Sequence, residues 1–199
     1  SEMEKRLNAN RLELLKSPIN PHFRFNTLNM IGSMADLEDA PTTEKMTQSL
    51  AQLFRYNLNT REQIVPIEME LRIAENYMYL QKMRFGSRIQ YQVIAPEDIS
   101  RIRIPSFTMQ PLVENAIVHG LSKKEQGGTV AVTVSEDPAT QIVTLLIEDA
   151  GLGIAEERLS ALNARIHNPE ENKTARIGIG LGNIYRRIRT LYPEHGDLS

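Results

Sequence analysis

Cysteine is absent from the 199 residues. Its absence excludes disulfides, thiol nucleophiles and cysteine zinc sites, and fits a reducing compartment. Histidine is scarce: His22, His119, His167 and His195 include no close pair, so a histidine metal site is not expected. No apolar run approaches the ~20 residues that span a bilayer. Ser1 to Arg11 is polar and charged, unlike a signal peptide. A basic surplus is also lacking, and a formal net charge of -2 gives no sign of nucleic-acid binding. What is present is 41% hydrophobic and 24% charged residues, a balance that lets one large domain or two small ones bury a core.

The first residues enter a helical pattern without a cap, and His195-Gly196-Asp197-Leu198-Ser199 reads as a turn toward a further strand. An excised fragment is expected. Met3, Leu7, Asn10 and Leu14 fall near heptad spacing, which suits a helix that pairs with another or an ordinary amphipathic helix. Pro18 and Pro21 break that helix. Asn20 is a suitable N-cap and Pro21 a suitable first residue for a new helix to about Ala35. That helix carries Phe25, Leu28, Ile31 and Met34 toward a core. Asp36 to Thr43 is a polar turn, and Met46, Leu50, Leu53, Phe54 and Asn57 repeat at helical spacing. Such an αα-hairpin has little core of its own, and a dimeric four-helix bundle is the economical solution.

From Pro66 the pattern changes. Residues 67–85 predict an amphipathic helix, Arg88 to Ile94 a strand, and 105–121 another helix. Thr129 to Val134 and Val143 to Glu148 are β-branched runs joined by Asp137-Pro138-Ala139-Thr140, a hairpin signature. Residues 155–166 and 181–192 are helical, with a polar, Gly-containing stretch between them. The fold class is therefore α+β, with residues 1–62 a helical hairpin region and 63–199 a separate domain truncated at its C-terminus.

Three segments carry candidate chemistry. Asp149-Ala150-Gly151-Leu152-Gly153 ends an apolar strand, and its glycines let backbone approach a ligand; a plain strand-ending turn is the competing reading. Gly178-Ile179-Gly180-Leu181-Gly182 opens a helix, where free amides and the positive dipole end suit phosphate. It lacks the Lys-Ser/Thr of a P-loop. Gln110 to Gly120 places Asn115 and His119 four apart on one helical face.

In this order and spacing, the Asn-bearing helix, the DxGxG segment and the glycine-rich lid resemble the GHKL ATPase family. The resemblance implies a Bergerat-type α/β-sandwich that binds ATP and Mg²⁺. It assigns the adenine amino group to Asp149 and Mg²⁺ to Asn115. Gly178, Gly180 and Gly182 then cover the phosphates, Gly151 and Gly153 line the site with His119, and Glu114 assists metal-bound water. Upstream, Asn20-Pro21-His22-Phe23-Arg24-Phe25-Asn26 closely resembles the phosphoacceptor motif of LytS/YehU-type histidine kinases, as do Tyr79 to Phe85 and Ile104 to Gly120. That likeness covers nearly the whole chain.

The likeness makes His22 the expected nucleophile. A nucleophilic imidazole must be neutral, and in a first helical turn the dipole disfavours the cation while favouring a transferred phosphoryl group. Asn26, one turn on, either orients a water that hydrolyses phosphohistidine or stabilises the helix. No general base is evident, since Phe23 stands beside the histidine. Relatives usually carry Gln at position 18, an aliphatic residue at 24 and often Lys at 118, where this chain has Pro18, Arg24 and Val118. Phosphate charge then falls to Lys123, Lys124, Lys173 or Arg176, with Arg176 the first candidate because it adjoins the lid.

The reading is a homodimeric two-component kinase core. It autophosphorylates His22 from ATP and passes the phosphoryl group to a response-regulator aspartate, of the LytTR class by family likeness. The fragment is expected in the cytoplasm, its parent in the bacterial cell membrane. The rivals are an ATPase or protein-serine kinase of the same fold and a degenerate kinase serving as an ATP-binding scaffold.

Overall fold

The computed structural model describes residues 21–167, 179–194 and 196–198. The proposed N-terminal heptads, Pro18, Asn20, Lys173, Arg176 and Gly178 lie outside that set. Compactness divides the chain between Asn59 and Thr60 into two units.

The first unit contains α1 (Pro21–Leu37) and α2 (Pro41–Asn59), packed as an antiparallel hairpin. Pro21 and Pro41 each occupy the first helical position, where the missing amide donor costs no helical hydrogen bond. The intervening turn is short. Asp39 takes a left-handed φ of 52°, and the Ala40 amide donates to Ala35 O at 2.8 Å. Gly32 lies against Thr47, and the Arg55 guanidinium sits 4.5 Å above the Phe25 ring. Expectation and structure part over α1's apolar side chains. Phe25 and Leu28 are half-buried, but Ile31 is 44% and Met34 50% exposed. Gly32 and Ala35, smaller and one residue further round, form the contact face instead.

The second unit is built around α3 (Ile67–Phe85). Glu68 and Glu70 occupy its first turn and Lys82 and Arg84 its last, matching the helix dipole. Gly86 ends it at φ 66°, with its amide on Lys82 O. One sheet has the order β2 (Ile89–Ile94), β4 (Gly128–Glu136), β5 (Val143–Asp149). β2 runs parallel to β4, and β4 runs antiparallel to β5. A second, two-stranded ladder joins β1 (Ile64–Pro66) to β3 (Arg103–Pro105). Residues 103–105 are therefore strand, and the helix predicted over 105–121 begins later. It divides into α4 (Met109–Asn115) and a π-helical turn (Ala116–Leu121). Two further helices, α5 (Glu156–His167) and α6 (Ile179–Leu191), pack on each other.

The core of this unit lies where α3, the sheet, α4 and the π turn meet. Ile67, Ala74, Met78, Met109, Val113, Ile117, Leu121, Val130 and Val132 are fully enclosed. On β4, Val130, Val132 and Val134 alternate inward, as the period of a strand requires. The fold is thus mixed α+β. Among the described residues no helix is long and apolar enough to cross a membrane.

Candidate active site

His22 stands exposed in the first turn of α1, and Asn26 follows one turn later on the same face. The Asn26 amide nitrogen lies 3.0 Å from His22 Nδ1. Either end of that amide suits the ring. Its N–H donates to a bare Nδ1, or its Oδ1 accepts from Nδ1–H and leaves the lone pair on Nε2. The pair predicted from spacing is therefore in contact. Phe23 beside it is 61% exposed.

In the second unit, Asp149 closes β5 opposite Val130, and its Oδ1 accepts the Gly151 amide at 2.9 Å. Gly120 belongs to the π turn. A Cβ on Gly120 would overlap the Asp149 carboxylate, and a Cβ on Gly151 would overlap both that carboxylate and the Gly120 backbone. The end of the Asn-bearing helix and the DxGxG segment thus meet through glycine. Gly153 adopts φ 71°, a backbone state L side chains rarely take.

Asn115 is the half-buried last residue of α4, and Glu114 before it is exposed. Asn115 and His119 were expected four apart on one α-helical face. The helix changes to a π turn between them, with Ser122 N donating to Ile117 O across five residues. Such wide turns occur frequently at functional sites. Among the described residues, no three His, Asp or Glu side chains gather as a metal site.

The cationic candidates fare differently. Lys124 Nζ donates to Ala150 O at 2.6 Å, which braces the DxGxG segment. Arg88 holds the Lys124 carbonyl at 3.0 Å from the other side. Lys123 and Val118 are exposed. Gly180 and Gly182 lie inside the first turn of α6, which starts two residues earlier than predicted; their amides remain those of a helix start.

Residues not singled out from the sequence shape the same region. Glu70, on α3, is 1% exposed. Its carboxylate accepts the amides of Phe107 at 2.8 Å, Thr108 at 2.9 Å and Met109 at 2.8 Å. Phe107 holds a φ of 58°. From α6, half-buried Arg187 donates to Ser106 O and, at 3.3 Å, to Ser106 Oγ. The available signal for Glu70 was an acidic residue set on the apolar stripe Ile67, Leu71, Ala74, Met78. Tyr77 is half-buried, and burial first, then the Glu114 carboxylate, pushes its hydroxyl up to about 12.

The sequence is similar to known proteins over nearly its whole length. Residues 10–89 match the histidine kinase family, and residues 104–197 match the histidine kinase-, DNA gyrase B- and HSP90-like ATPase family. The chain is 31% identical to sensor histidine kinase BtsS of Escherichia coli K12 over 97% of its length, covering 31% of BtsS. It is 33% identical to sensor protein LytS of Oceanobacillus iheyensis, covering 99% of this chain and 33% of LytS. Sensor histidine kinase YesM of Bacillus subtilis strain 168 is 32% identical over 96% of this chain and 31% of its own length. The chain therefore spans about a third of the length of these relatives. A solved histidine kinase domain from Erythrobacter litoralis EL346 aligns over 87% of this chain and 85% of its own at TM-score 0.46 and 15% identity.

Proposed function

This chain belongs to the sensor histidine kinases, with the ATPase domain they share with DNA gyrase B and HSP90, and from that premise we propose that it catalyses ATP-dependent phosphorylation of His22. The observation that carries the reading is the closure of Gly120 and Gly151 onto the Asp149 carboxylate. It gathers two separate sequence motifs into one exposed acceptor suited to an adenine amino group. Residues 1–62 then form the dimerisation and phosphoacceptor region, and 63–199 the nucleotide-binding domain.

Asn115 holds Mg²⁺, assisted by Glu114, while His119, Gly151 and Gly153 line the nucleotide pocket. Gly178, Gly180, Gly182 and Arg176 meet the phosphates. Mg²⁺, when bound, neutralises developing charge on the β- and γ-phosphates. The His22 ring nitrogen attacks the γ-phosphorus; a P–N bond forms, the bond to the β–γ bridging oxygen breaks, and ADP leaves. An Asn26 oxygen facing Nδ1–H fixes the proton there and presents Nε2 to the phosphorus. A response-regulator aspartate, of the LytTR class, then takes the phosphoryl group as an acyl phosphate. Two copies join through the hairpin, and the full-length protein resides in the cell membrane with this portion in the cytoplasm.

Incubation with labelled ATP and Mg²⁺ tests the reading. Acid-labile, base-stable label on the wild type, absent from His22→Gln, is expected. Acid-stable label instead assigns a serine kinase, and nucleotide binding without label assigns the scaffold.

A further inference from the structure

Glu114 and Asn115, proposed above for the metal, sit on a short element that has little reason to hold its position alone. α4 has only seven residues, and it is followed by a wide π turn. It has no acidic residue in its first turn and no side-chain cap from its own N-cap residue, Thr108. Instead Thr108 Oγ1 donates back to Pro105 O at 2.7 Å. The first amides of α4 and the residues before it are collected by a carboxylate from another helix, Glu70 of α3.

We propose that Glu70 is a positioning residue of the nucleotide site: its buried carboxylate, through the amides of Phe107, Thr108 and Met109, sets the start of α4 and so the placement of Glu114 and Asn115. The inference rests on the reading given under Proposed function. A single carboxylate bonded to three successive backbone amides fixes direction as well as location, because each oxygen binds amides that point differently. The left-handed Phe107 is held in that state by one of these bonds. Burial raises the stake: an acceptor withdrawn here would leave amide donors without water.

The same turn is also tied to the helix that follows the glycine lid. Arg187 of α6 grips Ser106 through both its carbonyl and its hydroxyl, and that hydroxyl donates to Glu62 O at 2.8 Å. α6 packs on α4 and on β3. The segment 106–109 is therefore a junction that sets Asn115 and the lid helix in register with each other. Metal and phosphate groups are then met from two sides by elements referred to one buried turn.

The test is nucleotide binding by the whole chain, with ATP titrated in Mg²⁺ and in EDTA, on wild type, Glu70→Gln and Arg187→Met, beside thermal melting. Glutamine keeps the shape of Glu70 but turns an NH₂ toward amide donors. Supporting-group losses of this kind typically weaken a metal site by about 10–100-fold. Glu70→Gln should thus lose at least about tenfold in Mg²⁺-ATP affinity, with binding in EDTA changed less than about threefold. A merely structural role predicts instead that both affinities fall together with the melting temperature, and that result overturns the proposal. If Glu70→Gln does not fold, Arg187→Met decides: a several-fold loss confined to the Mg²⁺ titration supports the junction, and unchanged affinity overturns it. Wild-type protein that binds no ATP refutes the functional reading itself and this inference with it. Wild type that binds while both variants keep its Mg²⁺ dependence removes only the inference.

Discussion

The two units bury apolar surface in opposite ways. In the second, side chains from α3, α4, the π turn and β4 close on one another, and Ile67, Met78, Val113 and Val130 are 0% exposed. In the first, α1 directs Met30, Ile31, Met34 and Leu37 outward, while Gly32 and Ala35 are buried and Phe25 meets Arg55 of α2. A stripe of small residues lets two helices approach closely but supplies little burial. A core that is complete can shape a pocket. A helix with its larger side chains outside leaves an apolar face that a second copy would cover in the proposed dimer.

Removing part of the completed core should have the largest effect. Met78→Ala is expected to destabilise the second unit by about 2–5 kcal/mol, read as an earlier thermal transition, with the helical signal of α1 and α2 retained. Coincident loss of both would break the contrast between the units. Next comes Gly120→Val, whose side chain would occupy the Asp149 carboxylate's position. ATP affinity should fall about 100-fold, or ~2.7 kcal/mol, without loss of dimer. Full affinity in this variant would remove the observation on which the functional reading stands. Met34→Glu tests the other side: sedimentation should show dimer dissociation increased by about tenfold, ~1.4 kcal/mol, and nucleotide affinity unchanged.

The smallest effect concerns Tyr77. Its hydroxyl is raised from 10.0 to about 12, chiefly by burial and then by Glu114. The folded protein therefore keeps a proton that the unfolded chain loses above pH ~10, so stability is full below that pH and declines up to about 12. Tyr77→Phe should flatten this decline in pH-dependent melting of the second unit. An unchanged slope would mean that the Tyr77 hydroxyl is not raised in the folded protein.

Much of this was legible beforehand. The α3 boundaries, 67–85, coincide with the amphipathic pattern, and the β4–β5 hairpin follows from its β-branched runs and Asp-Pro turn. His22 with Asn26, and Asp149 with Gly151, could be read because their partners lie within one helical turn or one strand end. β1 and β3 escaped because each has three residues and pairs with a distant segment, so neither shows a period. The π turn escaped because apolar spacing cannot distinguish i+4 from i+5 hydrogen bonds over one turn. Glu70 was not singled out because its partners are amides some forty positions away. The exposure of Ile31 and Met34 escaped because periodicity tells which residues share a face, not which face is used.

The parallel match of β2 to β4 brings residues 89–94 against residues 128–133. No tight turn can make such a pairing; everything from β3 through the π turn lies within the crossover. Closing a long loop before its contacts repay the lost freedom slows folding, whereas local contacts form quickly. The α1–α2 hairpin, closed by a turn of a few residues, can thus form early on the ribosome. The β2–β4 pairing can form only after β4 has been synthesised. A nucleotide that binds the folded domain can stabilise it only after this pairing is complete.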